Sequence, residues 1–64
     1  MISFAIPNYN RVENVIRLIN KHQDDERISE IVICDDNSHQ EVNERISEHI
    51  KDIPLVKLIT NEVN

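Results

Sequence analysis

Three short apolar runs alternate along the chain with two longer stretches in which apolar residues recur at helical spacing. The first run, ISFAI (Ile2 to Ile6), is rich in β-branched and aromatic residues. It stops at Pro7, which cannot donate to a ladder, so the pattern predicts a strand ending there. In NYNRVENVIRLINKH, Val12, Val15, Ile16 and Ile19 form one stripe of a helix. Asn10 followed by Glu13 has capping-box spacing, which predicts a helix starting at Arg11 and fading near His22. QDDERIS is a polar connector. EIVICD is a second strand, and its nearly continuous apolar character predicts that both of its faces are covered. Ser38 and Glu41 have the S-x-x-E spacing of a second capping box, and Val42, Ile46 and Ile50 carry the stripe of a second helix. After Pro54, LVKLI (Leu55 to Ile59) reads as a third strand, and TNEVN as a polar tail.

The order β-α-β-α-β implies an α/β fold with a parallel three-stranded sheet and right-handed crossovers. The expected strand order is 3-2-1, half of a doubly wound sheet, with the first strand at an edge. That edge is apolar and carries no charge, so self-association through the first strand is expected of the isolated chain. Sheets of this kind bind ligands at the carboxyl ends of their strands. The two polar stretches PNYNR and DDNS both fall at such ends, side by side.

Composition narrows the function. A chain of 64 residues is one small domain at most, burying only ~60% of its unfolded surface. Its formal charge of -5 argues against nucleic acid and anionic membrane as partners, since both require a basic face. No apolar run approaches the ~20 residues of a membrane span. The start lacks the basic and apolar regions of a secretory signal. The single cysteine, Cys34, excludes an intrachain disulfide and fits a reducing compartment, which points to the cytoplasm. Glycine is absent, unusual for a finished domain, and suggests that the chain is part of something larger.

Asp35 and Asp36 stand side by side at a strand-to-helix turn, where like charges repel. One reading is that an acid there simply charges the start of the next helix, worth ~0.3–1 kcal/mol. The other is that a carboxylate at a strand end accepts a hydrogen bond from a ligand N–H or faces a metal. Tyr9, the only tyrosine, either covers the edge of the core or walls a pocket for a planar base. Arg11 lies where the helix dipole disfavours a cation; it is a solvated surface charge, a partner of Glu13 or Asp36, or a site for an anionic ligand. Cys34 reads as a buried, inert thiol. His22, His39 and His49 show no metal-ligand spacing.

Taken together, SFAIPNYNR, EIVICDDNS and VKLITNEVN resemble, in order and spacing, the amino-terminal part of family 2 glycosyltransferases. The resemblance covers essentially the whole chain and implies a Rossmann-like half of a GT-A fold. It implies that Pro7 and Tyr9 line a nucleotide pocket, with Tyr9 against the base and Asn10 and Arg11 at the rim. Asp36 would accept the base N–H, typically of uracil; Asp35 would support that turn, and Ser38 would cap the next helix. The implied donor is a nucleotide sugar, a UDP-sugar, and the implied acceptor is a hydroxyl, usually of a saccharide. The family holds its magnesium or manganese on an Asp-x-Asp motif after a later strand, and its catalytic base lies later still; neither is present in this chain. The chain would thus be the first third or less of a larger enzyme, inactive alone, whose parent could associate with membranes through other residues. The acid pair also resembles that of a response-regulator receiver, where it binds magnesium; a non-catalytic α/β interaction domain is the third reading.

Overall fold

The computed structural model describes residues 2–61. It consists of β1 (Ile2–Asn8), α1 (Val12–His22), β2 (Ile28–Asp35), α2 (Gln40–Ile50) and β3 (Val56–Thr60). The family-like tail from Glu62 onward lies outside the described residues. All three strands are parallel, in the order β1-β2-β3, which is the expected 3-2-1 read from the other edge. The register sets Ile6 beside Ile33 and Leu58, and Asn8 beside Asp35 and Thr60. The carboxyl ends of all three strands therefore finish level with one another.

One apolar core holds the domain together. Ile6, Ile31, Ile33 and Val56 face it from the sheet, Val12, Val15 and Ile19 from α1, and Ile46 from α2. The α1 stripe matches the expected spacing, with Ile16 only half-buried at its margin; in α2, Val42 and Ile50 flank the fully buried Ile46. Both helices thus pack on the same face. Three strands running the same way in sequential order, joined by right-handed crossovers, leave no alternative. The expected covering of β2 on both faces is corrected accordingly. Alternation turns Ala5, Pro7, Cys34 and Ile59 to the opposite face, where all four are exposed, and Val32 there is half-buried. Cys34 is an exposed thiol, not a buried one.

Pro7 does not end β1, which runs on to Asn8. The carbonyl of Asn8 accepts the Asp36 N–H at 2.9 Å, so Asn8 faces β2 and the nitrogen of its neighbour Pro7 faces the open edge. No ladder bond is lost there.

Neither expected capping box forms. The N-cap of α1 is Arg11 and that of α2 is His39, both without a side-chain cap bond. Asn10 and Ser38 are instead drawn into contacts between the two loops. The chain has no glycine, and the left-handed positions of these loops fall on Asn10 (φ 54) and Asn37 (φ 58). Asparagine tolerates that region better than other residues with a β-carbon.

Candidate functional site

The two adjacent acids have opposite fates. Asp35 is the last residue of β2 on the core-facing side, two positions beyond Ile33, and is only 1% exposed. Its Oδ1 accepts the Asn8 side-chain amide at 3.2 Å and the Ser38 hydroxyl. Its Oδ2 accepts the Ser38 backbone N–H at 2.9 Å and the Asn43 amide at 3.1 Å. Burial is the largest single influence on this carboxyl and pushes its pKa up. The bonds from Ser38, Asn43 and Asn8 together outweigh it and hold the group below its ordinary value of 3.8. Asp35 is thereby kept as a carboxylate with both oxygens engaged.

Asp36 follows with the opposite side-chain direction and is exposed. Its backbone N–H is tied to Asn8, yet its carboxylate makes no hydrogen bond or ion pair among the described residues. One acid closes the turn; the other is presented by it. The repulsion between them is tolerated because four donors neutralise the field of the buried one.

The same network joins the two loops. The Asn10 N–H donates to the Ser38 hydroxyl at 2.7 Å, and the Asn10 side-chain oxygen accepts the His39 N–H at 2.8 Å. Ser38 turns from its expected helix-capping place because its hydroxyl donates to the buried Asp35 carboxylate, a charged acceptor, while its oxygen accepts the Asn10 N–H in place of a helix N–H. Asn10 is therefore a latch between loops and does not line the cleft beside it.

That cleft, of about 490 Å³, is lined by Pro7, Asn8, Tyr9, Arg11, Asn14, Cys34 and Asp36. Four of the six site residues expected from sequence, Pro7, Tyr9, Arg11 and Asp36, meet here. Tyr9 is 59% exposed, so its ring does not seal the core. Arg11 makes no ion pair among the described residues; Glu13 reaches Arg45 instead, at 3.7 Å. A free carboxylate, an exposed phenol ring and a free guanidinium thus border one concavity. Asn8 adds an orphaned group, since its side-chain oxygen is buried with no hydrogen-bond partner among the described residues.

Asn8, Asn14, Cys34 and Asn43 were not singled out by sequence reasoning as site residues. For Asn8 a signal existed: it sits two residues after Ile6, on the core-facing side of the strand, where a polar side chain requires a partner. Cys34 likewise follows Ile33 and so must face away from the core. Asn14 and Asn43 carried no such mark.

Larger concavities lie along α2, where Ser38, Asn43, Ser47 and Thr60 are among the lining residues, and between the helices beside Ile16 and His49. Neither collects the residues at the strand ends of β1. Among the described residues, no group of three or more His, Cys, Asp or Glu side chains comes together in a way that would hold a metal ion. No helix among them is long and apolar enough to cross a membrane.

Compared with known families, the model described as Glycosyl transferase family 2 matches residues 3–64. No curated protein and no solved structure gives a significant match.

Proposed function

The chain belongs to glycosyl transferase family 2, and on that premise we propose that it forms the amino-terminal, nucleotide-binding part of an enzyme transferring a sugar from a nucleotide-sugar donor to an acceptor hydroxyl. The observation that carries this reading is the division of labour between Asp35 and Asp36, which leaves one free carboxylate at the strand ends beside an exposed tyrosine. A uracil ring would lie along Tyr9 and donate its N3–H to Asp36. Pro7 shapes the wall, Arg11 stands at the rim for the anionic part of the donor, and Asn10 holds the loops together. Asp35 contributes by positioning, from behind the turn. The unpartnered oxygen of Asn8 suits a site completed by a ligand donor or a water.

The divalent cation of the reaction would neutralise the diphosphate leaving group. The residues at this cleft do not form a cation site: among the described residues Asp36 is the one carboxylate in its lining, and both oxygens of Asp35 behind it already accept two donors each. The metal is therefore assigned to the rest of the parent enzyme. The same geometry disfavours a receiver-like reading, which needs both acids on one magnesium ion.

Two surfaces support a longer parent. Among the described residues, β1 has an unpaired edge, and the sheet face carrying Ala5, Pro7, Cys34 and Ile59 has no cover. Further strands added beyond β1, with helices on the second face, would complete both. The isolated 64 residues are accordingly expected to self-associate. Ala5→Lys places a charge on the bare face of the edge strand and should shift the sedimentation profile toward monomer. A stable monomer at high concentration, unaltered by Ala5→Lys, would count against a missing partner strand.

The transfer reaction itself is tested by comparing the full gene product with these 64 residues alone, using nucleotide sugars and manganese. Release of nucleoside diphosphate is expected from the full protein and none above a heat-treated control from the isolated chain. Turnover by the isolated chain would sink the assignment of metal and base to other residues.

A further inference from the structure

We propose that Asn43 is a positioning residue of the nucleotide cleft, its amide holding Asp35 from α2 so that the turn presents Asp36 to the base. This rests on the reading that Asp36 receives a base N–H.

Asn43 lies in the first turn of α2 and is absent from the lining of the cleft. Whatever it does for a ligand must pass through another residue. The one hydrogen bond of its side chain among the described residues runs from Nδ2 to Asp35 Oδ2, at 3.1 Å. Its own amide oxygen is buried without a partner among the described residues. A side chain that leaves one polar atom unsatisfied in order to donate with the other is held chiefly by that donation.

The loop it supports is short and closed at both ends on one carboxylate. Residues 36–38 leave the backbone of Asp35 and return when the Ser38 N–H reaches Asp35 Oδ2 at 2.9 Å, the same oxygen that Asn43 holds. Asp36 is the first residue inside this ring. Asn8 fixes Oδ1 from β1, and the Asp35 carbonyl accepts the Asn61 N–H at 2.7 Å from the end of β3. Among the described residues, Asn43 alone ties the ring to the body of α2 by a side-chain hydrogen bond. Without it, Oδ2 keeps a single donor, and the carboxylate and its ring are held from β1 and from within the turn but no longer from α2. The cleft would lose the fixed direction of Asp36 while the apolar core, built from other residues, stays intact.

A signature separates this role from general support. The groups facing Asp35 are Asn8 from β1, Ser38 from the turn, Asn43 from α2, and Thr60 and Asn61 at the end of β3; none of them titrates, and Asp36 and His39 are the titratable residues of the turn itself. Removing one donor makes the buried carboxylate easier to protonate. Nucleotide binding should then fail at a higher pH on acidification than in the wild type. Asn43→Asp should behave in the opposite sense: two carboxylates face each other at neutral pH, whereas one protonated at lower pH donates to the other.

The experiment is calorimetric titration of uridine diphosphate onto the full gene product, from about pH 3 to pH 8, for wild type, Asn43→Leu, Asn43→Asp and Asp36→Ala. Asn43→Leu is expected to bind roughly tenfold more weakly at neutral pH, the lower end of what losing a partner behind a ligating group costs. Its acid limb should move upward. Asn43→Asp should be weak at neutral pH and regain affinity as the pH falls. A folded Asn43→Leu with wild-type affinity and pH profile overturns the inference. If Asn43→Leu does not fold, Asn43→Asp decides: recovery on acidification supports the role, and no recovery overturns it. Asp36→Ala keeps the two levels apart. If it weakens binding while the Asn43 variants do not, only the positioning role fails; if it too leaves affinity unchanged, the nucleotide reading fails with it.

Discussion

Replacing Asp35 by alanine is expected to destabilise the domain by roughly 3–5 kcal/mol, enough to unfold most of a chain this small. The change removes the acceptor for the Asn8 amide, the Ser38 hydroxyl and N–H, and the Asn43 amide at once. Asp35 is 1% exposed, so water does not readily replace it. Buried donors left without partners carry their full desolvation cost, and these four come from a strand, a turn and a helix that the carboxylate joins. Ligand affinity would suffer both through unfolding and, in whatever remains folded, because the turn that presents Asp36 loses its anchor. Chemical denaturation of the two proteins measures the difference. A variant of unchanged stability would show that the network contributes nothing.

The same residue sets an acid limit. Its pKa in the folded protein lies below the ordinary 3.8, so the fold favours the ionised form. A depressed carboxylate stabilises fully above its unfolded value, and this contribution is lost as the pH falls from there through the lower folded value. Melting temperature should therefore fall on acidification below about 3.8 in the wild type. Asn at this position, which does not titrate, should flatten that part of the profile.

Asp36→Ala is expected to do the reverse. Its carboxylate has no partner among the described residues, so the fold should keep its stability within about 0.5 kcal/mol, the usual range of a surface change. Nucleotide binding should weaken by about 1.5–3 kcal/mol, the scale of a hydrogen bond to a charged group. That corresponds to roughly ten- to hundredfold in affinity. The adjacent pair thus separates into a residue that matters for folding and one that matters for ligand, although both are aspartates one position apart.

Much of this was readable in the chain. Apolar spacing placed all five elements, and the alternation of strands with helices gave the parallel sheet and its order. Motif positions at the ends of β1 and β2 located Pro7, Tyr9, Arg11 and Asp36 at one cleft. What local pattern misjudged was decided by contacts far away in sequence. Ser38 and Asn10 have the spacing of helix caps, yet a buried carboxylate and the neighbouring loop captured them. Asn8 meets Asp35 across 27 positions, a pairing that strand register creates and no local window contains. The apolar run of β2 suggested two covered faces because Val32 and Cys34 resemble core residues by type. That Cys34 is exposed and Val32 only half-buried follows from where the two crossovers lie, which only the assembled sheet reveals. Pro7 looked like a stop because its missing N–H was assumed to be needed, whereas strand parity turns that nitrogen to the open edge.

The most direct measurement removes the proposed hydrogen bond from each side in turn. Uridine diphosphate and its N3-methyl analogue, which lacks the ring N–H, would be titrated onto the full gene product and onto its Asp36→Ala variant. If Asp36 receives that proton, methylation should weaken binding to the wild type by about tenfold or more. It should have little further effect on Asp36→Ala, because the bond is already gone, so the two losses should not add. Equal affinity of the wild type for both ligands, or losses that add in full, would contradict the assignment of Asp36 to the base.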